Sequence, residues 1–218
     1  MIRGVRPNYR MHTNSKFLFA KYASPCFHSG MRVLEIGPDR FPSTYRAMVP
    51  CKGMQWDTLD ISDSPKLTYP KSQLYSFPIA DDTYDIVLSG QVIEHVAKIW
   101  RWMQELARVT KPGGLVITIS PSSWPYHEAP IDCWRMYPEG MKALCEDAGL
   151  SVKTSFFGSL ELPEFTEAIP GRSPEFQPEK LRRCFEVLGL YGFPVEKAFD
   201  TITIAGKSAT RTRKGRKK

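Results

Sequence analysis

Between Ser120 and Pro138 the chain reads "SPSSWPYHEAPIDCWRMYP", and Trp124, Tyr126, His127, Glu128, Asp132, Trp134, Arg135 and Tyr137 crowd into it. Aromatic faces beside carboxylates and a histidine suit a hydroxylated ligand such as a sugar. Histidine titrates near neutral pH, so His127 is the first candidate to take a proton from a hydroxyl. His127, Glu128 and Asp132 could also be grouped as ligands of a hard cation, but no further oxygen ligands accompany them, so no metal is expected. The competing reading is a proline-rich loop whose aromatics pack on a sheet edge, with Arg135 paired to Asp132. His95, in "VIEHV", is the second candidate base; it could equally fix its own loop by hydrogen bonds.

A second stretch, "VLEIGPDRF" from Val33 to Phe41, is an apolar run that breaks at Glu-Ile-Gly. A buried parallel strand ends this way where it turns over a nucleotide-like ligand. Loops that cradle a pyrophosphate need several glycines for close backbone approach, and this one has only Gly37. The G-x-x-x-x-G-K pattern of a phosphate loop is also absent.

The elements that must position these residues alternate. "MRVLEIG" (31–37), "MQWDTLDI" (54–61), "QLYSF" (73–77), "YDIVLSG" (84–90), "LVITISP" (115–121), "SVKTSFFG" (151–158) and "FDTITIAG" (199–206) read as strands. A short helix is expected over Thr13–Tyr22. Ile99, Trp102, Met103, Leu106 and Val109 recur on one face of a 3.6-residue period, which predicts a helix closed by the "KPGG" turn at 111–114. "PEGMKALCEDAG" (138–149) predicts another, and Glu179–Leu188 a further stretch. The segment 160–195 is too long for a simple connection and is expected to be a lid, a substrate wall or an oligomer contact. Strands alternating with helices imply a parallel sheet covered on both faces.

Composition narrows the function classes. The chain has 218 residues and a net charge of +7, but Lys207–Lys218 hold seven of the 30 basic residues and no acidic one. The remainder is neutral, which argues against a broad phosphate-binding face and leaves nucleic acid only the tail as a contact. No run reaches the roughly 18 apolar residues of a membrane span. The first residues have no apolar h-region, so no secretion signal is expected. Five scattered cysteines without C-x-x-C spacing fit a reducing cytoplasm.

Four segments together resemble the class I S-adenosylmethionine-dependent methyltransferases. They are "VLEIGPDRF", "TLDIS", "FPIADDTYDIVLSGQVIEHV" and "ELARVTKPGGLVITISP", in order, over about 31–150. The resemblance implies a Rossmann-like, doubly wound α/β fold, with a mostly parallel seven-stranded sheet and helices on both faces. With the composition it gives an N-terminal arm at 1–30, a methyltransferase domain at 31–206 with 160–195 inserted, and a basic tail at 207–218 expected to be disordered. It implies S-adenosylmethionine as cofactor, which has no phosphate and so needs only one close-approach glycine, Gly37. Glu35 is expected to place negative charge near the cationic end of the cofactor. Asp60 would accept the ribose hydroxyls, as a carboxylate suits a vicinal diol. Ile61 and Phe77 would flank adenine, Gln73 would meet its amino group, and Ser89 and Gln91 would border the methionine moiety.

The family usually has further glycines where this chain has Asp39 and Phe41. After "YDIVLSG" stands neither the Asn/Asp-Pro-Pro-aromatic sequence of base-amino methylation nor a Pro-Cys nucleophile. The implied activity is O-methylation of a sugar, glycan or other small molecule, with His127 and His95 as catalytic candidates. Trp124, Tyr126, Glu128, Asp132, Trp134 and Arg135 are the expected acceptor contacts. The alternatives are methylation of a secondary metabolite on nitrogen or oxygen, RNA methylation through the tail, or a cofactor-binding subunit without catalysis. The oligomeric state is not legible.

Overall fold

The computed structural model describes residues 13–124, 126–128, 130–158 and 200–209. Four parallel strands form its centre: β1 (Arg32–Ile36), β2 (Gln55–Leu59), β3 (Tyr84–Gly90) and β4 (Thr110–Pro121). β5 (Leu150–Gly158) and β6 (Asp200–Lys207) complete a sheet of order β2-β1-β3-β4-β6-β5, in which β6 runs antiparallel to both neighbours. The strands are near-continuous apolar runs because both faces are covered.

One face packs Leu34, Ile36, Leu59 and Val87 under α3 (Ile99–Val109) and α4 (Pro138–Asp147), through Trp102, Met103, Leu106, Met141 and Leu144. The other face packs Val33, Ile86, Leu88 and Ile117 under α1 (Thr13–Leu18) and α2 (Thr44–Met48), through Leu18, Phe19 and Tyr45. Adjacent residues such as Val33 and Leu34 therefore serve opposite cores, as the two-residue repeat of a strand requires. Among the described residues no helix is long and apolar enough to cross a membrane.

The mostly parallel sheet with helices on both faces is the expected one, and the α3 stripe is buried as its spacing predicts. Three details differ. Among the described residues the sheet has six strands, not seven, because "QLYSF" is a tight turn bridged only between Gln73 and Ser76. Pro70 and Pro78 bracket it and cannot donate to a ladder. The Phe77 N–H is taken instead by Glu105 Oε2 at 2.7 Å.

The second difference is at "KPGG". Tyr84 pairs with Thr110 and Ile86 with Leu115, so α3 passes directly into β4 and residues 111–114 bulge out. Gly113 sits there at φ +81°, a conformation that glycine adopts without a Cβ penalty. Thirdly, residues read as arm and tail enter the fold. α1 continues through a π-helical turn (Phe19–Ala23) and a 3₁₀ turn (Ser24–Cys26), and Leu18, Phe19, Ala23 and Phe27 are buried. The inserted segment 160–195, the helix at Glu179–Leu188 and the tail beyond 209 lie outside the described residues.

Lys207, counted with the basic tail, is the last residue of β6. Its Nζ reaches Asp82 Oδ1 (2.7 Å) and the carbonyls of Ala107 (2.8 Å) and Thr110 (2.7 Å). A cation there satisfies carbonyls at the C-terminal end of α3. A chain ending at Gly206 should therefore lose about 1–2 kcal/mol in urea unfolding relative to one ending at Lys207. Equal midpoints for the two would refute that structural role.

Glu35 is 1% exposed and faces inward from β1. Its Oε2 accepts from Ser43 Oγ and from Trp56 Nε1 (2.8 Å), while Ser43 Oγ also caps α2 by accepting from the Arg46 N–H (3.0 Å). The carboxylate thus joins β1, β2 and α2. Burial pushes its pKa from 4.5 up to about 7, against the lowering effect of the two donors. A raised carboxyl pKa means that the folded state holds the proton more tightly. The associated stability is present below pH 4.5 and is lost as pH rises through about 7. The stability of the native chain relative to Glu35→Gln should therefore fall by roughly 3 kcal/mol over that window. Denaturant titrations of both proteins across it test this, and a constant difference would contradict it.

Candidate active site

β1 and β3 are neighbours, and the chain leaves β1 through α2 on one face of the sheet and β3 through α3 on the other. In a doubly wound sheet such a reversal opens a crevice beyond the carboxyl ends of the strands. A cavity of about 540 Å³ lies there, lined from the ends of β1, β2 and β3 and from the loop after β4. That volume suits a small-molecule ligand.

Gly37 follows β1 at φ +69°, its N–H bonded to the Leu59 carbonyl at 2.9 Å. A Cβ added there would stand 2.5 Å from Val92 Cγ2. Glycine is thus required twice, by the backbone conformation and by the closeness of the next loop. Asp39 lines the same cavity and accepts from the Thr44 N–H (2.8 Å) and hydroxyl (2.6 Å), anchoring the loop to α2. Asp60 follows β2. Its Oδ1 accepts from the Ser62 N–H at 2.7 Å, and its Oδ2 lies 3.9 Å from the position of a Gly37 Cβ. Ile61, Gln73, Leu74 and Phe77 complete this end.

Gln91 follows β3 in the left-handed region (φ +57°), unusual for a residue with a side chain. The surroundings hold it there. Its N–H reaches the Ile119 carbonyl at 2.8 Å, and its amide donates to Ser15 Oγ (2.9 Å) and Asp200 Oδ1 (2.7 Å). Backbone strain of this kind concentrates at functional sites.

The other end of the cavity carries Glu94, His95 and His127. Glu94 is 1% exposed, and its Oε2 has no hydrogen-bond partner among the described residues. Burial pushes its carboxyl up to about 8. Glu94 Oε1 lies 3.8 Å from His95 Nε2, and His95 Nδ1 contacts the Ile131 carbonyl. Burial, then the neighbouring His127, hold His95 below its ordinary value in spite of that contact. The two imidazoles meet edge to face, centroids 4.9 Å apart. His127 Nδ1 lies 3.4 Å from Asp132 Oδ2, which also accepts from the His127 N–H at 2.8 Å. Arg135 grips both Asp132 oxygens (2.6 and 2.7 Å) and holds that carboxyl well below the usual carboxylate range.

Of the residues singled out from the sequence, Gly37, Asp60, Ile61, Gln73, Phe77, Gln91, His95 and His127 line the cavity. Two cofactor expectations are corrected. Glu35 is locked between strands and α2, and Ser89 is buried within β3; neither lines the cavity. Nor do the expected acceptor contacts line it. Asp132 and Arg135 form an ion pair beneath the loop, and Trp134 donates to the Val96 carbonyl at 2.9 Å while packing on the core. Trp124, Tyr126 and Glu128 are exposed, with the Tyr126 hydroxyl bonded to Glu128. Among the described residues Glu94, His95 and His127 bring a carboxylate oxygen and two imidazole nitrogens within 4.8 Å of one another, a grouping without Glu128. Asp39 and Glu94 were not selected from the sequence. Spacing offered one signal for Asp39, which precedes the Ser43-Thr44 helix start.

Residues 42–118 match the methyltransferase domain family. A methyltransferase of Mycolicibacterium vanbaalenii, whose function is uncharacterised, is 34% identical over 105 residues, taking in 44% of this chain and 41% of that protein. The chain thus spans about two-fifths of that relative's length. Among solved structures, a Haloferax volcanii methyltransferase in complex with the Trm112 methyltransferase activator superposes at a TM-score of 0.60. It is 20% identical and covers 92% of this chain and 90% of its own. An S-adenosylmethionine-dependent methyltransferase from Archaeoglobus fulgidus superposes at 0.59, also 20% identical, over 88% and 92%.

S-adenosylmethionine, on which the Archaeoglobus fulgidus enzyme depends, fits what the cavity offers. Asp60 places an oxygen 3.9 Å from where a Gly37 Cβ would stand, and Ile61, Leu74 and Phe77 add an apolar wall. Glycine-rich phosphate contacts are lacking, and this ligand has no phosphate to bind. Residues 42–118 thus form a methyltransferase domain, in a fold shared with S-adenosylmethionine-dependent methyltransferases of known structure.

Proposed function

We propose that this chain transfers a methyl group from S-adenosylmethionine to an oxygen of a small hydroxylated acceptor, a sugar or glycan. The observation that carries this reading is the shared cavity: Asp60 and Gly37 at one end, His95, His127 and buried Glu94 at the other. Bound S-adenosylmethionine supplies an electrophilic methyl on a sulfonium sulfur. The residues at the Gly37 end fix the cofactor, with Asp60 on the ribose and Ile61 and Phe77 along adenine. The chain's further work is to hold the acceptor in line and to take its proton. His127 is the first candidate for that proton and His95 the second. Both reach the cavity, and both are oriented through Nδ1. All four described cysteines are unpaired, which suits a reducing compartment such as the cytoplasm.

Turnover with methyl-labelled cofactor and a panel of sugars and polyols tests the reading. Cofactor binding with label passing to no hydroxylated acceptor would overturn it and favour a cofactor-binding subunit. Two substitutions separate the ends of the cavity. Asp60→Ala should weaken cofactor binding by about 1–3 kcal/mol in calorimetry, the cost of losing a charged hydrogen-bond acceptor. An unchanged dissociation constant in a folded variant would remove Asp60 from the ribose. His127→Ala should lower kcat roughly 10²–10⁴-fold with cofactor affinity unchanged. A raised KM at near-normal kcat would reduce His127 to holding the acceptor.

A further inference from the structure

Glu94, His95 and His127 each offer one ligand atom, and the three atoms lie within 4.8 Å of one another. The geometry points to a site for a divalent first-row transition metal of the zinc type, held by one carboxylate oxygen of Glu94 and the Nε2 atoms of His95 and His127, and open to the acceptor on its cavity side.

Four observations carry this. First, two imidazole nitrogens and one carboxylate oxygen form a donor set that binds zinc-type ions while leaving a position for an exchangeable oxygen. Second, Glu94 Oε2 is buried and has no hydrogen bond among the described residues. A buried carboxylate oxygen without a donor is costly unless a cation or a ligand donor meets it. Third, both rings are oriented as metal-ligating histidines usually are, with one nitrogen turned to an outer acceptor. His95 Nδ1 meets the Ile131 carbonyl, and His127 Nδ1 meets the Asp132 carboxylate. Asp132 is itself fixed by Arg135, so the carboxylate–histidine pair is buttressed from behind. Fourth, the set opens on the cavity that holds Asp60 and Gly37, so an ion there would be reached by whatever binds beside the cofactor.

The ion would act as a Lewis acid. A hydroxyl held there would lose its proton to solvent more readily than a free alcohol, and its oxygen would then accept the methyl as the sulfur–methyl bond breaks and S-adenosylhomocysteine leaves. The two histidines then serve as ligands, and the role of a free imidazole base passes to the ion. The proposed catalytic use of the ion rests on the oxygen-transfer reading above; binding of the ion does not.

The test is therefore a binding experiment first. The full chain, stripped with chelator and dialysed, is titrated with Co²⁺ and followed by its visible absorption, and separately with Zn²⁺ by calorimetry. One equivalent should bind, with the intense d–d bands of a four- or five-coordinate ion. Glu94→Gln and His95→Ala should each weaken binding by tenfold or more, and Asp132→Asn by roughly 10–100-fold, the scale for an outer-shell partner. His28→Ala, at an exposed histidine away from the cavity, should change nothing.

Thermal unfolding of each variant in chelator shows that it is folded before its affinity is compared. With Zn²⁺ added, the unfolding midpoint should rise for the native chain and not for Glu94→Gln. Two outcomes overturn the site. One is absence of stoichiometric binding. The other is binding that survives Glu94→Gln and His95→Ala but disappears in Cys133→Ser, which puts the ion on the exposed thiol beside this loop. Stoichiometric binding without methylation of any hydroxylated acceptor would sustain the metal site and sink the oxygen-transfer reading. Turnover undiminished in chelator would do the reverse to the ion's catalytic role.

Discussion

The contact between Gly37 and Val92 is the constraint on which the site depends. β1 and β3 lie side by side and are buried on both faces, so their chains can turn only where the strands end. The loop leaving β1 passes so close to the loop leaving β3 that a Cβ at 37 would overlap Val92 Cγ2. That close approach leaves no room for a side chain at this edge of the crevice. Asp60 at the end of β2 and Gln91 at the end of β3 then fall on its walls without special provision. Strain at Gln91 is tolerated because Ser15, Asp200 and the Ile119 carbonyl hold it from three elements. The N-terminal helix and the last strand thereby support a residue neither of them adjoins in sequence.

Two glutamates show how burial acquires different meanings. Glu35 and Glu94 are each 1% exposed, and burial raises the pKa of both. Glu35 has two side-chain donors, from Ser43 and Trp56, and lies between secondary elements. Its polarity is consumed by the fold. Glu94 is left with an oxygen that no described group satisfies, and it opens on the cavity. A buried carboxylate oxygen in that state is costly unless a donor or a cation meets it. The distinction lies in hydrogen bonding, since burial and charge are the same in the two cases.

Continuous apolar runs revealed the sheet, one dominant repeat revealed α3, and Pro138 and Gly149 bounded α4. Ile99, Trp102, Met103, Leu106 and Val109 can share a face in only one way, and all are buried. Glu35 could not be read by the same means. A strand covered on both faces has no alternation of polarity, so nothing in "VLEIG" tells which side Glu35 enters. "QLYSF" was misread because its apolar content resembles a strand, whereas the flanking prolines deny it a ladder. Lys207 was grouped with the tail because charge counting ignores where a strand ends. Gly37, Asp60 and Gln91 were legible because they terminate strands, and the end of a parallel strand is where this architecture puts ligands.

The loop after β4 was legible as a functional segment but not in its division of labour. From residue types, Trp134, Asp132 and Arg135 suit a sugar as well as they suit a scaffold. In the folded chain Trp134 binds the Val96 carbonyl, Arg135 clasps Asp132, and the Met136 N–H reaches the Pro121 carbonyl. These bonds close the loop over the β3 end and set His127 beside His95, 32 positions earlier in the chain. Rings held edge to face at 4.9 Å demand a rigid backbone on both sides, and exposed aromatics could not provide it. The buried polar residues of the loop are thus positioning residues, and the chemistry falls to the histidine they hold and to the Glu94–His95 pair it meets.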